Sequence, residues 1–411
     1  MLSSLSRSLS QPLPHSVSQY LVITASYWAF TLTDGALRML VVLYFHGLGY
    51  SPMEVATLFL LYEFFGVVTN LVGGWLAARV GLNVTMHIGL ALQIVALALL
   101  SVSTEVLGIG YVMFAQALSG IAKDLNKMSA KSSIKMLIPA DQQARLYRWV
   151  ALLTGSKNTL KGVGFFLGAL LMSTLGFSSA LISMAMMLMV VLLWSLWLLD
   201  KDIGRVDFKP KFSQMFSPSE SINHLSAARF FLFGARDVWF VVALPVFLQS
   251  QLEWSHNEVG MLLAGWIIVY GLVQAKAPLF TGQKSGRLPS GKTALEWAAL
   301  LIALPLLIAF GCWMRWPAEM VIVAGLIAFA VVFAINSAVH SYLIVAYAKE
   351  DGVSLDVGFY YMANAAGRLL GTLLSGAIYQ LWGLEACLLV SSSMVALAAL
   401  CSTKLPRTKF S

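Results

Sequence analysis

Apolar runs of about 20 residues recur from one end of the chain to the other, separated by short polar segments. A helix rises 1.5 Å per residue, so about 20 apolar residues cross the roughly 30 Å hydrocarbon core of a bilayer. The pattern predicts twelve such spans, over 20–45, 53–77, 84–103, 106–126, 146–173, 177–199, 226–250, 257–281, 293–311, 317–341, 354–380 and 384–403. Polarity rises sharply after the sixth, where 200–225 carries Pro210, Pro218, serines and charges. The expected organisation is therefore a tail (1–19), a six-helix bundle (20–199), a linker (200–225), a second six-helix bundle (226–403) and a short tail (404–411).

Composition agrees with a polytopic helical membrane protein and excludes an ordinary soluble enzyme. Hydrophobic residues make up 59% and charged residues 11% of the 411, against roughly 45–50% apolar and 25% charged in soluble domains. The net charge of +8 takes its meaning from where the charges fall. With the N-terminus cytoplasmic, the cytoplasmic segments hold Arg7, Arg79, Lys131, Lys135, Arg145, Arg148, Lys201, Arg205, Lys209, Lys211, Lys284, Arg287, Lys292, Lys349, Lys404, Arg407 and Lys409; the opposite loops hold Arg315. This positive-inside bias puts both termini in the cytoplasm and removes any need for a nucleic-acid partner. Cys312, Cys387 and Cys401 are scattered through apolar segments, with neither a disulfide framework nor a metal site in their spacing. The sequence has no zinc-ligand pair, nucleotide-binding glycine loop or nucleophile elbow. The chain reads as a non-enzyme with no cofactor and no direct use of ATP.

The charges inside the spans change the picture. The first span carries Asp34 and Arg38, four apart and so on one helix face. A charge at mid-bilayer costs about 2.5–3.5 kcal/mol on the insertion scale and ordinarily faces a partner or a watery cavity. Arg38, Lys157, Lys161, Arg236 and Arg368 fall inside spans one, five, seven and eleven, with Lys123 toward the cytoplasmic end of span four. Acids are fewer: Asp34, Glu63, Asp124 and Asp237, with Asp356 at a span edge. An excess of cations in a low-dielectric interior calls for an anion. Arginine offers a planar fork for phosphate or carboxylate, and lysine a compact point charge. The candidate substrate-binding residues are Arg38, Lys123, Lys157, Lys161, Arg236 and Arg368, with Asn158 and Asn364 for hydroxyl groups. Candidates for proton coupling are Asp34, Glu63, Asp237 and His340. The competing reading is structural: Asp34 neutralising Arg38, Asp124 neutralising Lys123 or Lys127, Asp237 neutralising Arg236, and the asparagines joining helices. Lys157, Lys161 and Arg368 have no obvious local acid, whereas Arg229 and Lys276 are expected to snorkel at the cytoplasmic interface.

The halves look like repeats. Tyr50-Ser-Pro-Met-Glu-Val after the first span parallels Trp254-Ser-His-Asn-Glu-Val after the seventh, and Lys161-Gly-Val-Gly164 parallels Arg368-Leu-Leu-Gly371. Such repeats place a site near the midplane, between the halves. The loop Gly74-Trp-Leu-Ala-Ala-Arg-Val-Gly-Leu-Asn83 resembles the major facilitator signature Gly-x-Leu-Ala-Asp-Arg-x-Gly-Arg-Arg at Gly74, Leu76, Ala77, Arg79 and Gly81. It departs at Ala78, where the family has the acid that helps latch its outward-facing state, and at Leu82 and Asn83. The resemblance implies the all-α major facilitator fold, with two pseudo-symmetric six-helix halves.

A narrower resemblance rests on Tyr27-Trp-Ala-Phe-Thr-Leu-Thr-Asp-Gly-Ala-Leu-Arg-Met-Leu-Val-Val-Leu43, Gly49-Tyr-Ser-Pro52, Tyr62-Glu-Phe-Phe-Gly-Val-Val-Thr-Asn-Leu-Val-Gly-Gly-Trp-Leu76 and Gly89-Leu-Ala-Leu-Gln-Ile-Val-Ala-Leu97. These stretches look like the organoarsenical efflux permeases of bacterial arsenic-resistance operons, the ArsJ family. That resemblance implies export of 1-arseno-3-phosphoglycerate across the bacterial inner membrane, with glyceraldehyde-3-phosphate dehydrogenase as the functional partner that makes the ester. Two alternatives stand beside it: a major facilitator exporter of another phosphorylated or organic anion, and a non-transporting membrane receptor or scaffold.

Overall fold

A computed structural model of the chain describes residues 15–50, 52–139, 141–200, 219–282, 288–350 and 352–407. Most of the expected linker lies outside the described residues, as do the tail and loop cations Arg7, Lys201, Arg205, Lys209, Lys211, Lys284, Arg287 and Lys409. The described residues are helical almost throughout. The helices are α1 (His15–Gly47), α2 (Leu60–Val80, entered through the short helix Pro52–Thr57), α3 (Leu82–Leu100), α4 (Ile109–Leu137), α5 (Gln143–Leu175), α6 (Phe177–Leu198), α7 (Glu220–Phe240, continued by Ala243–Gln251), α8 (His256–Phe280), α9 (Gly291–Trp313), α10 (Ala318–Tyr347) and a long rod Val353–Ser402. The rod breaks at Gly383, whose φ of 79° suits glycine. Its arms are α11 (353–382) and α12 (384–402).

Local chemistry explains the breaks. Pro245 has no N–H to return to the Val241 carbonyl, and α7 parts there. The freed N–H of Ala243 donates to Ser375 Oγ at 3.1 Å, which pins the broken turn to α11. Ser255 and Glu258 form a reciprocal capping box at the start of α8.

Ten helices among the described residues are long and apolar enough to cross a membrane, with α11 and α12 counted as one. The charged α4 is not among them. Separating the arms at Gly383 and counting the charged α4 gives twelve long helices among the described residues, the number of spans expected from the sequence. Several boundaries differ by five residues or more, and two of them move charges. The fourth helix runs to Leu137 rather than 126, so Lys131 and Lys135, expected in a cytoplasmic loop, are helical. The seventh begins at Glu220 rather than 226, which carries Arg229 well into the helix.

Three hydrophobic clusters show how the bundle is joined. One is confined to the first half, running from Phe30 to Leu188. A second is confined to the second half, from Leu232 to Ala398. A third crosses between the halves and gathers Tyr20, Leu82, Ile134, Leu146, Ile222, Tyr342, Val357 and Leu405. These residues mark the end of the bundle where the described chain begins and ends, the terminal end. At this end α2 packs on α11 and α5 on α8. A Cβ on Gly74 would lie 2.5 Å from the Ser354 carbonyl, and one on Gly358 would lie 2.7 Å from the Asn70 carbonyl. Hydrogen bonds from Tyr342 to Gln143 (3.3 Å), between Tyr147 and Thr281 (2.8 Å), and from Asn158 to Gln274 (2.6 Å) also cross here or at mid-length of α5. The halves are thus sealed together at the terminal end, while each keeps its own core toward the other.

A Gly358→Leu substitution would overpack the α2–α11 contact, at a cost of about 1–3 kcal/mol. We expect it to raise the reactivity of a Ser354→Cys reporter, buried in the present state, toward a small thiol reagent when the native cysteines have been removed. Unchanged reactivity would mean that this contact does not hold the end shut.

Candidate substrate-binding site

The charged side chains converge between the halves. On the first half, Arg38 on α1 donates from Nη2 to Glu63 Oε1 on α2 at 2.8 Å. This corrects the expected pairing of Arg38 with Asp34. Asp34 instead accepts from the Tyr62 hydroxyl at 2.6 Å and has no ion pair among the described residues. Aromatic faces steer the cations: Arg38 lies 4.9 and 5.0 Å from the Phe59 and Tyr62 ring centres, and Lys123 lies 3.9 Å from that of Tyr62. Asp124 on α4 is buried and pairs with Lys127, with Lys123 at 3.6 Å.

On the second half, Asp237 is fully buried between Arg236, its neighbour in sequence, and Arg368 on α11, whose Nε lies 3.0 Å from Asp237 Oδ2. Arg368 therefore has the acid that its own span did not reveal. Lys157 and Lys161 on α5 have no carboxylate partner among the described residues. The charged groups that act on Lys161 are Arg38, Asp34, Lys123 and Glu63. Lys157 is surrounded by Lys161, Lys127, Lys123 and Arg368. Glu63 in turn feels Lys123, Arg368, Arg38 and Lys161, which places residues of both halves around one centre.

The repeat explains this imbalance. Gly35 packs on Gly164 where α1 meets α5, and Gly234 packs on Gly371 where α7 meets α11. Three residues before Gly164 and Gly371 stand Lys161 and Arg368. Three residues after Gly35 and Gly234 stand Arg38 and Asp237. In one half the inner cation meets an acid; in the other it meets a second cation. The position that would balance Lys161 holds arginine, whose ion pair is with Glu63, so Lys161 has carboxylates nearby but none paired to it among the described residues.

The remaining candidates are placed as follows. Asn158 donates to Gln274 across the halves, and Asn364 accepts from Arg229 Nε at 2.8 Å, so both join helices in this state. His340 is buried on α10 beside Arg229, with neither ring nitrogen hydrogen-bonded. Arg229 does not snorkel: it is 3% exposed and bonded to Ser337 and Asn364. Lys131, expected in a cytoplasmic loop, is 2% exposed inside α4. The sequence reading put both at the cytoplasmic side, Lys131 in a loop and Arg229 snorkelling at the interface, and gave neither a role in binding. The signal was present in the four-residue register of Lys123, Lys127, Lys131 and Lys135, which lines one face of a helix that continues beyond its apolar run.

Comparison with known proteins adds the fold. A family model described as Major Facilitator Superfamily matches residues 21–241 and again 225–409. No curated protein sequence matches the chain significantly. Among solved structures, the human organic anion transporter MFSD10 (TETRAN) is similar with a TM-score of 0.73 at 17% identity, covering 95% of this chain and 100% of that one. A bacterial homologue of the iron transporter ferroportin, in an outward-facing state, has a TM-score of 0.75 at 13% identity, over 95% and 99% of the two chains. The Escherichia coli fucose:proton symporter FucP has a TM-score of 0.67 at 14% identity, over 94% and 98%. At these identities the likeness is one of fold.

Removing one partner of a buried ion pair costs about 3–5 kcal/mol, because the other charge stays buried and uncompensated. Asp237→Asn is therefore expected to lower the thermal stability of the purified protein markedly. Adding Arg368→Gln to it is expected to recover part of the loss, read from the unfolding midpoints of the two single variants and the double variant.

Proposed function

Since this chain belongs to the major facilitator superfamily, a multi-pass membrane transporter family, we propose that it exports a small anion with more than one negative group by alternating access. The observation that carries this reading is the pair Lys161 and Arg38, with Lys157 and Lys123 beside them and no carboxylate ion-paired to either α5 lysine among the described residues. Cations held this way in a low-dielectric bundle cost several kcal/mol unless an anion joins them. Two anionic groups of one substrate, one at the Lys161–Arg38 corner and one toward Lys157 and Lys123, would balance them.

The resemblance of the first hundred residues to the organoarsenical permeases gives this anion a name. We infer that it is 1-arseno-3-phosphoglycerate, exported across a bacterial inner membrane to give arsenate resistance. The charged arsenate and phosphate ends match the two groups of cations. The required partner is then glyceraldehyde-3-phosphate dehydrogenase, as the source of the ester and not as a bound subunit. With the positive-inside orientation, the sealed terminal end faces the cytoplasm and the described state is outward-facing. For proton coupling the reading favours Asp34, a buried carboxyl with a hydrogen bond but no ion pair, over Glu63 and Asp237, which are already paired. The same cations suit other phosphorylated or organic anions, and that is the second reading.

The test is arsenic retained by arsenate-treated cells that lack their own arsenic exporters and express this chain, with and without co-expressed glyceraldehyde-3-phosphate dehydrogenase. Lower retention only with the dehydrogenase is the expected outcome, and Lys161→Met should abolish the effect while leaving the amount of protein in the membrane unchanged. Equal retention in all arms would overturn the arsenical reading.

A further inference from the structure

Beyond the central site, the terminal end buries two cations that the proposed transport step does not use. Lys131 on α4 and Arg229 on α7 are 2% and 3% exposed. Neither has a carboxylate partner among the described residues. The charged groups that act on Lys131 are Arg229, Lys157 and Lys127, all of them cations. What surrounds the pair is neutral. Lys131 donates to the Tyr361 hydroxyl on α11, and its ammonium lies 4.8 Å from the Tyr361 ring centre. The Arg229 guanidinium lies 3.9 Å from the Phe233 ring centre and 5.3 Å from that of Tyr360. Its Nε and Nη1 are bonded to Asn364 and Ser337, and its Nη2 donates to nothing among the described residues.

Hydrogen-bonding capacity goes unused around the same point. The Tyr360 hydroxyl, both ring nitrogens of His340, and both amide atoms of Asn336 one turn earlier on α10 are buried without a partner. Left unmade, each such bond costs about 1–3 kcal/mol. Two cations with neutral donors and no acid have the composition of an oxyanion site.

We infer that Lys131 and Arg229, with Tyr360, Tyr361 and His340, form a second anion site at the terminal end, for an oxyanion of the phosphate–arsenate class. The site rests on the anion-transport reading and lies on the other side of Lys127 and Lys157 from the Lys161–Arg38 corner. In the described state the seal between the halves buries it, and Tyr361 covers Lys131. When the terminal end opens, Tyr361 departs with α11 and the two cations meet the aqueous side. They then capture an oxyanion there, before it passes along the α4 and α5 lysines to the central site. Resealing brings back the tyrosine and expels the ligand toward the centre. The oxyanion is either one end of the transported substrate or free inorganic phosphate.

The experiment is thermal unfolding of the purified full-length protein in detergent, titrated with inorganic phosphate and separately with 3-phosphoglycerate. The variants are wild type, K131M, K161M and the double variant; K131Q, which keeps a hydrogen bond for Tyr361, replaces K131M should that fail to fold. We expect K131M to unfold at a higher temperature than wild type without anion, because a buried repulsion is gone. Its half-saturating phosphate concentration should rise about tenfold or more, as loss of a charged hydrogen bond predicts. K161M should retain a phosphate response that the double variant loses. If K131M also weakens 3-phosphoglycerate, the site takes the substrate's own anionic end; if it weakens phosphate alone, the site takes the free ion. Lower stability of K131M with an unchanged phosphate midpoint would overturn the inference. So would loss of the whole phosphate response in K161M alone, which leaves the central site standing. A response insensitive to K161M but lost in K131M would sink the central reading and keep this one.

Discussion

Positive charge without enough negative charge to meet it is the constraint on which the interior of this bundle depends. Arg38, Lys123, Lys127, Lys131, Lys157, Lys161, Arg229, Arg236 and Arg368 face Asp34, Glu63, Asp124 and Asp237 across helices whose outer surfaces are apolar. Each carboxylate that forms an ion pair serves at least one cation, and Asp124 and Asp237 each serve two. The excess then falls on α5 and on the terminal end of α4. A protein held together only for stability gains nothing from this arrangement, since well-packed apolar side chains of similar volume commonly do as well or better than buried ions. The imbalance makes sense where an anion completes it for part of a cycle.

Alternating access needs two arrangements of similar free energy, and the packing supplies the means. Each half has an apolar core of its own toward the far end, while the cluster that joins them lies at the end with the termini. The halves can therefore rotate as bodies without disturbing most of their burial. The contacts exchanged are the close backbone approach of α2 and α11, the α5–α8 seam and a few hydrogen bonds across the seal. A ligand shifts such an equilibrium only by its difference in affinity for the two states. On the proposed cycle, lysines covered in one state and open in the other would supply that difference for an anion.

Much of this was legible in the sequence, and the failures have physical causes. The spans follow from apolar runs because hydrocarbon leaves a helix few other choices. The chain turns at Gly383 between the two spans expected there, whereas the break before Pro245 falls inside a span read as continuous over 226–250. The pairing of charges was legible within a helix, where Asp124 meets Lys127 and Asp237 meets Arg236, but not between helices. Arg38 chose Glu63 over Asp34, four residues away on its own helix, because α2 brings a carboxylate across at 2.8 Å while Tyr62 takes Asp34. Arg368 met its acid from a helix more than a hundred residues earlier. Lys131 and Arg229 were misplaced for a related reason: hydropathy ends a span where charges begin, although helical hydrogen bonding and tertiary burial do not stop there.

The altered signature loop joins these threads. Where the superfamily pattern has an acid, this chain has Ala78, which is fully buried. An acid at a fully buried position needs a partner to offset its desolvation, and Arg79 beside it instead lies 4.8 Å from the Trp75 ring centre. The seal is then made by shape: the α2 backbone lies against Ser354 and Gly358 on α11, with Tyr361, two turns along α11 from Ser354, reaching across to Lys131. A carboxylate latch would add an acid to the terminal end and help to neutralise the buried cations there. An aromatic hydroxyl, a glycine contact, the α5–α8 seam and neutral hydrogen bonds close that end without neutralising Lys131 and Arg229. The departure from the pattern thus leaves Lys131 and Arg229 without a carboxylate partner among the described residues, which is the condition the proposed second anion site requires.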